Sequence, residues 1–277
     1  MPHDATAQRA IVRSTMATAR ELAIAAAAMV HRAERAGPRR DVRRKGEGDF
    51  VTAVDLRVER FLRAELARRH PTHGFLGEES GHGPRDAELV WIVDPIDGTS
   101  NFAQGLPCHA VSIACVREGQ PIAAAVAAAP RGELVVAGLG RGAFFCKLRL
   151  RLAAATLSDA AVIGAQWLRG VHEPALLRAL CTSGARVRVF GSTVTQLCDV
   201  AVGRLHANVQ TQGRIWDLAA AALIAAEAGA LVTDWRGRAL LPFGSLAPDR
   251  HHPSLVAAPG LHAELVARLP RARPTRG

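Results

Sequence analysis

The most informative segment of the chain is Trp91-Ile92-Val93-Asp94-Pro95-Ile96-Asp97-Gly98-Thr99-Ser100-Asn101-Phe102. It begins with an apolar run typical of a buried strand, and Pro95 predicts that this strand ends there. Asp94 and Asp97 lie three residues apart, and Gly98-Thr99 precedes a predicted helix. Magnesium prefers carboxylate and carbonyl oxygens, and phosphate favours exposed N–H groups at a helix N-terminus. The segment therefore predicts a magnesium-assisted phosphate site.

Other acidic residues lie at the ends of predicted elements on both sides of this segment. Asp55 and Asp217 each precede a predicted helix, and Glu78-Glu79 follows a short predicted strand. Each has an ordinary structural interpretation: a helix N-cap for Asp55 or Asp217, a solvated loop for the glutamates, a turn for Asp97. Sequence position alone leaves these interpretations open.

Asp94 is harder to explain structurally. A carboxylate at the end of a buried strand needs a cation or hydrogen-bond donors to offset its desolvation. In α/β sheets, ligands bind where strands end, and Glu78, Asp94 and Asp97 follow two neighbouring strand ends in the sequence. Together they predict the carboxylate set of a multi-metal phosphatase.

The remaining pattern predicts an α/β protein built of layered helices and sheets. A long helix over residues 8–35 is followed by a loop at 38–49, and a β-hairpin is expected over 111–128. Beyond about residue 153, strands and helices alternate. We expect an N-terminal α+β half over residues 1–153 with most metal-ligand candidates. Residues 154–277 are then a C-terminal α/β half with Asp217 and the substrate-side residues.

Composition limits the class of protein. The 277 residues are 49% hydrophobic and 22% charged, which indicates a globular chain rather than a disordered one. No apolar run is long enough to cross a membrane, and no signal peptide is expected. The five cysteines are scattered and odd in number, so we expect reduced thiols and a cytoplasmic location.

The formal charge of +10 invites a nucleic-acid interpretation. Only Lys45 and Lys147 are lysines, and the arginines are spread along the chain. This distribution favours a solvated basic surface, so nucleic-acid binding is not expected. The charge can still attract an anionic substrate.

Four blocks of sequence resemble the inositol monophosphatase family of magnesium-dependent, lithium-sensitive phosphatases. The resemblance extends over roughly residues 8–270, with the blocks in the family's order and spacing. The blocks are Asp49-Phe50-Val51-Thr52-Ala53-Val54-Asp55, Gly77-Glu78-Glu79-Ser80, Trp91 to Phe102, and Trp216-Asp217-Leu218-Ala219-Ala220 with Glu227-Ala228-Gly229-Ala230.

This resemblance implies an αβαβα sandwich, the fold shared with fructose-1,6-bisphosphatase, and a homodimer. It implies two or three magnesium ions: one bound by Glu78, Asp94 and the carbonyl of Ile96, and a second bound by Asp94, Asp97 and Asp217. A third, weaker ion would lie near Glu78 through water.

By the same resemblance, Asp55 and Thr99 orient and deprotonate the attacking water. The N–H groups of Gly98 and Thr99 hold phosphate oxygens. Lys45 and Glu79 are further candidates beside the metal loop.

On the substrate side, the resemblance points to Arg188, Gly191, Thr193 and Gln210. Inositol-specific members carry a glutamate seven residues before the last metal aspartate, where this chain has Gln210. Glutamine bonds hydroxyls but offers no anionic acceptor. A changed or broadened substrate preference follows as a hypothesis.

The expected function is hydrolysis of a small cyclitol or sugar phosphate, such as inositol 1-phosphate. Histidinol phosphate and 3′-phosphorylated nucleotides are alternatives, since related phosphatases share these motifs. A further alternative is a non-enzymatic, RNA-associated regulatory role, as some bacterial relatives have.

Overall fold

The computed structural model describes residues 2–36, 43–46, 49–82, 87–166 and 173–270. Within these segments, each helix is too short or too polar to span a bilayer. The helices are α1 Pro2–Arg35, α2 Ala53–Arg69, α3 Thr99–Gln104, α4 Glu173–Cys181, α5 Thr193–Ala201, α6 Ile215–Ala228 and α7 Leu261–Arg268. The strands are β1 Arg43–Gly46, β2 Asp49–Val51, β3 Gly74–Gly77, β4 Gly81–His82, β5 Leu89–Asp97, β6 Ala110–Arg117, β7 Gln120–Ala128, β8 Glu133–Gly138, β9 Gly142–Phe145, β10 Leu148–Arg149, β11 Val162–Ala165, β12 Arg186–Arg188, β13 Ala207–Gln210, β14 Leu231–Thr233 and β15 Ser254–Ala257.

These elements form five layers. Helices α1 and α2 cover one face of an eight-stranded sheet, and α5 and α6 cover its other face. The same α5 and α6 then contact a five-stranded sheet, whose far face carries α4 and α7. Three apolar cores fill the spaces between these layers. The predicted αβαβα sandwich is confirmed.

The first sheet has the order β10-β9-β8-β7-β6-β5-β3-β4. Strands β3 and β5 run parallel, so their carboxyl ends, and the acidic residues that follow, lie side by side. The remaining neighbours in this sheet are antiparallel. The predicted hairpin is confirmed as β6–β7.

The second sheet has the order β12-β11-β13-β15-β14. β11 is parallel to both β12 and β13, and β15 pairs antiparallel with β13 and β14. The carboxyl ends of β11 and β13 therefore lie at the same edge of this sheet. The predicted division near residue 153 falls between β10 and β11 and stays a prediction.

The strand that precedes the acidic segment is longer than predicted. Pro95 does not end β5, which continues to Asp97. The pairing with β6 shifts register between Asp94 and Asp97, and such an irregularity tolerates a residue without an N–H donor. The predicted end at Pro95 was wrong for this reason.

The loop predicted over 38–49 was also wrong in part. Strand β1 lies within it and pairs antiparallel with β2, which begins at the last residue of the predicted loop, although β1 is almost entirely basic. Pairing with β2 across a short connection, rather than an apolar periodicity, defines that strand. Residues 37–42, 47 and 48 lie outside the described segments.

Candidate active site

One polar cavity of about 160 Å³ lies where β3, β5, β11 and the starts of α3 and α6 meet. It collects side chains and backbone from segments far apart in the sequence. Its lining residues are Glu78, Asp94, Ile96, Asp97, Gly98, Thr99, Ser100, Gln166, Gly191 and Asp217. Seven of the predicted metal and phosphate residues, together with the predicted substrate residue Gly191, therefore line a single cavity.

Three carboxylates converge inside this cavity. Asp94, Asp97 and Asp217 each offer an oxygen, and these oxygens lie within 4.8 Å of one another. Asp94 and Asp97 come from the end of β5, and Asp217 comes from the first turn of α6. Asp217 is not the N-cap but the third residue of the helix. Its Oδ2 accepts a hydrogen bond from the N–H of Arg214, 2.8 Å away.

Burial raises the pKa of Asp94 well above its ordinary range, and repulsion from Glu78, Asp97 and Asp217 raises that pKa further. Asp94 also accepts the N–H of Ile96 at Oδ1, 3.0 Å away. A buried group of like charges is stable only when protons or cations offset the repulsion. Hard oxygen ligands at this spacing fit a divalent cation such as magnesium.

Asp97 is held from the opposite side of the cavity. Its Oδ2 accepts from the hydroxyl of Ser192 and from the N–H of Val194, 3.0 Å away. Burial raises the pKa of Asp97 to about 6, and these donors at the start of α5 limit the rise. Asp97 is therefore more than a turn residue, because it connects the carboxylate cluster with the first turn of α5.

Thr99 and Asp55 form a buried pair behind the cavity. The hydroxyl of Thr99 lies 3.1 Å from Asp55 Oδ1 and 2.9 Å from the carbonyl oxygen of Ile96, and both oxygens are acceptors. Burial raises the pKa of Asp55, although hydrogen bonds from Thr52 and Thr99 oppose this. The geometry brings together the two residues that the resemblance pairs.

Thr52 fixes the other oxygen of Asp55. Both its N–H, at 2.8 Å, and its hydroxyl donate to Asp55 Oδ2. Thr52, not Asp55, is the N-cap of α2, and its hydroxyl accepts from the N–H of Val54. The capping box thus leaves Asp55 Oδ1 to face Thr99.

The turn before α3 brings the backbone close to its neighbours. Gly98 has φ +82°, and a Cβ at this position would lie 2.7 Å from the carbonyl oxygen of Cys108. Only glycine fits both constraints. Gly98 and Thr99 line the cavity together with the residues of the carboxylate cluster.

A buried glutamate supports the Glu78–Glu79 segment. Glu59 on α2 is 2% exposed, and its Oε2 accepts from the N–H of Glu79, 2.8 Å away. Gly77 leaves room for it, since a Cβ there would lie 2.5 Å from the Glu59 carboxyl carbon. Glu78 lines the cavity, whereas Glu79 does not.

The predicted substrate residues are placed differently from one another. Gly191 lines the cavity. Thr193 and Gln210 are buried, and the described part of the chain contains no hydrogen-bond partner for Thr193 Oγ1 or Gln210 Oε1. Arg188 is exposed on β12 and donates to the carbonyl of Val187, 2.9 Å away. The side chain of Lys45 lies outside the described part of the structure.

Two residues with a role in this architecture were missed from the sequence. Asn101 donates to the carbonyls of Cys108 and Phe190, both 2.7 Å away, and so ties α3 to the turn at Gly191. Gln166 follows β11 and lines the same cavity as the carboxylates. Asn101 lies within the segment Trp91 to Phe102, which could have marked it as a candidate, whereas Gln166 belongs to no recognisable motif.

Comparisons with known proteins show which sequences and folds this chain resembles. Residues 12–273 match the sequence pattern of the inositol monophosphatase family. An inositol-1-monophosphatase of Rhizobium meliloti is 39% identical over 215 residues, which cover 75% of this chain and 81% of that protein. The Nus factor SuhB of Pseudomonas aeruginosa is 35% identical, over 71% of this chain and 76% of that protein. The extragenic suppressor protein suhB from Bartonella henselae has the same fold, with a TM-score of 0.84 and 30% identity, over 94% of this chain and all of that one.

Proposed function

Because this chain belongs to the inositol monophosphatase family and is a phosphoric monoester hydrolase, we propose that it hydrolyses a small cyclitol or sugar phosphate with magnesium. One observation carries the proposal. The oxygens of Asp94, Asp97 and Asp217 converge within 4.8 Å in a cavity whose wall includes Thr99, itself backed by Asp55. This is the donor set and the acid–base pair that metal-assisted phosphate hydrolysis requires.

We propose that Glu78, Asp94 and the carbonyl of Ile96 hold one ion, and that Asp94, Asp97 and Asp217 hold a second. The convergence of these groups on one cavity and the raised pKa of Asp94 support this assignment. When bound, magnesium would lower the pKa of the attacking water and offset the negative charge of the phosphoryl group. A third, weaker ion near Glu78 belongs to the same proposal.

The role proposed for Thr99 is to orient the attacking water. Its hydroxyl donates to Asp55 and can accept a hydrogen bond from water with its lone pairs. Asp55 then receives the proton, because Thr52 holds its second oxygen and directs Oδ1 towards Thr99. The N–H groups of Gly98 and Thr99 are proposed to bind phosphate oxygens.

The substrate preference is proposed to be broader than that of an inositol-specific enzyme. Gln210 is buried at the end of β13 and provides a neutral amide where inositol-specific relatives provide a carboxylate. Gly191 and Thr193 are proposed to contact substrate hydroxyls, and Arg188 to lie at the periphery. Lys45 and Glu79 are proposed as further site residues beside the metal loop.

The decisive experiment is phosphate release from a panel of phosphomonoesters. The panel contains inositol 1-phosphate, a sugar phosphate, histidinol phosphate and a 3′-phosphorylated nucleotide, each with magnesium, with EDTA and with added lithium. We expect magnesium-dependent, lithium-inhibited release from the polyol phosphates, and loss of activity in Asp94→Asn. Turnover of inositol 1-phosphate far above all other esters would contradict the broadened preference. Turnover of histidinol phosphate or the nucleotide alone would replace the proposed substrate.

The similarity to a Nus factor SuhB keeps an RNA-associated role as a second possibility. It is not favoured, because the carboxylates of a phosphatase site converge in this structure. The two roles separate in complementation. A regulatory role predicts that a chain carrying Asp94→Asn restores the cellular function without phosphatase activity.

We also propose a homodimer. The side chains of Leu106, Val189 and Phe190 are apolar and exposed. Asn101 holds them close together, because its backbone carbonyl accepts from the N–H of Leu106 and its side chain donates to the carbonyl of Phe190. Such a cluster on the surface is typical of an interface. Sedimentation velocity of the full chain and of Leu106→Lys tests the assembly.

The scattered cysteines support the proposed cytoplasmic location.

A further inference from the structure

One residue of the cavity lining, Gln166, comes from the end of a strand in the second sheet, whereas the three carboxylates come from β5 and α6. Gln166 follows β11, and its N–H donates to the carbonyl of Val209 on β13, 3.3 Å away, so its backbone extends the pairing of the two strands. Its side chain is half-buried and lines the cavity together with Gly191. Gln166 therefore shares the cavity lining with Gly191, which is proposed to contact substrate hydroxyls.

The orientation of a neighbouring amide is fixed by the backbone. Gln196 on α5 is completely buried, and its Oε1 accepts from the N–H of Phe190, 3.2 Å away. A backbone N–H can only donate, so the amide oxygen of Gln196 must face Phe190. The amide nitrogen of Gln196 consequently points the other way.

That nitrogen in turn orients Gln166. Gln196 Nε2 lies 3.4 Å from Gln166 Oε1, and an NH₂ group requires an acceptor. The oxygen of Gln166 is thereby directed to Gln196. Its own NH₂ group faces away from Gln196 and has no hydrogen-bond partner in the described part of the chain.

We propose that Gln166 is a substrate-binding residue that donates an amide N–H to a hydroxyl oxygen of the substrate's polyol portion. The inference rests on the proposed function and deepens it. The β5 side of the cavity is lined largely by carboxylates, which accept hydrogen bonds, whereas a hydroxyl-rich substrate also needs donors. The Phe190–Gln196–Gln166 chain supplies a donor whose direction is set before the substrate binds.

Steady-state kinetics with two probes tests the assignment. Myo-inositol 1-phosphate has hydroxyl groups on its leaving group, and p-nitrophenyl phosphate has none. Gln166→Met keeps the length of the side chain but removes its donors. We expect KM for inositol 1-phosphate to rise roughly three- to tenfold, the effect of one lost hydrogen bond, with kcat within about twofold of the parent. KM for p-nitrophenyl phosphate should not change.

Three variants complete the design. Gln166→Asn retains an amide but not its reach, so its KM should rise for inositol 1-phosphate as in Gln166→Met. Gln196→Met should also raise this KM, and adding it to Gln166→Met should have no further effect, because it acts through the orientation of Gln166. Gln120→Met makes the same substitution at a remote half-buried glutamine and should leave both KM values unchanged.

The outcomes separate the inference from the function on which it rests. Equal KM rises for both probes would place the contact on the phosphate and overturn the assignment to a hydroxyl. Unchanged KM values in an active, folded Gln166→Met chain would overturn it as well. If the parent chain hydrolyses neither probe with magnesium, the proposed function itself fails and the inference falls with it.

Discussion

Asp97 accepts a hydrogen bond from the hydroxyl of Ser192, which is the N-cap of α5. The same carboxylate belongs to the cluster with Asp94 and Asp217. A residue of the proposed metal site therefore also holds the turn that begins at Gly191. Changes on one side of the cavity are expected to reach the other through this contact.

Ser192→Ala tests that link. The variant loses the donor to Asp97 and the cap of α5, so we expect a loss of about 1 kcal/mol in unfolding free energy. The magnesium concentration for half-maximal activity should rise together with KM. Ser183→Ala, which removes a hydroxyl bonded only within its own turn, is the control. An unchanged magnesium midpoint would show that Asp97 does not depend on Ser192.

Asp94→Asn is expected to stabilise the protein in EDTA while abolishing activity. Its folded-state pKa is raised above the ordinary 3.8, so the native state binds more protons than the unfolded state and loses stability as pH rises above that value. The neutral amide removes this loss, so Tm at neutral pH without metal should rise. Magnesium should no longer raise Tm. Calorimetry of Asp94→Asn, with Asp159→Asn at an exposed position as the control, checks both effects.

Thr52 is expected to affect both catalysis and stability. Thr52→Val keeps the shape but loses the hydroxyl that caps α2 and bonds Asp55. We expect about 1 kcal/mol lower unfolding free energy, and a fall in kcat of roughly tenfold or more with little change in KM. Thr52→Ser should restore both quantities. Wild-type kcat in the valine variant would exclude a positioning role for Thr52.

Gly77→Ala is expected to disturb the Glu78 segment through Glu59. The new Cβ would lie 2.5 Å from the buried Glu59 carboxyl, and overpacking of this kind costs about 1–3 kcal/mol. Adding Glu59→Asp, which shortens the side chain, should recover part of the stability in urea unfolding. Gly244→Ala, where no atom lies within 4 Å of the new Cβ, is the control. No recovery in the double variant would place the strain elsewhere.

Acid should destabilise the fold through His252. Burial lowers its pKa to about 4, against an ordinary value of 6.5, so the unfolded state binds more protons between these pH values. The free energy of unfolding therefore falls as pH decreases from about 6.5 towards 4. His252→Gln should flatten this slope in urea titrations at several pH values, with exposed His31→Gln as the control. Parallel slopes would rule His252 out as the titrating group.

The main elements of the fold were predictable because their signals are local. The β6–β7 hairpin was predicted over 111–128 and spans Ala110–Arg117 and Gln120–Ala128, since two apolar runs around a short turn define it. The basic strand β1 was not predictable, because only its pairing with β2 stabilises it. The predicted strand end at Pro95 was wrong for a similar reason. The register shift that accommodates the proline arises from the pairing of β5 with β6, not from β5 alone.

The carboxylates were predictable as a set because each lies near the end of a strand or in the first turn of a helix. Gln166 was not, because a single glutamine after an apolar strand carries no signal. Its relevance depends on the pairing of β11 with β13 and on the orientation of Gln196. Likewise the partner of Asn101, the carbonyl of Phe190, lies 89 residues downstream, and no sequence spacing reveals such a contact.

Helix α6, which begins two residues before Asp217, is almost entirely buried in the layer between the two sheets. Its amide hydrogens can exchange with solvent only when that layer opens, so we expect them among the slowest to exchange in the chain. Local fluctuations at the cavity mouth would then leave Asp217 in place. Loss of the carboxylate cluster should coincide with global unfolding, so that hydrolytic activity and native structure disappear at the same denaturant concentration.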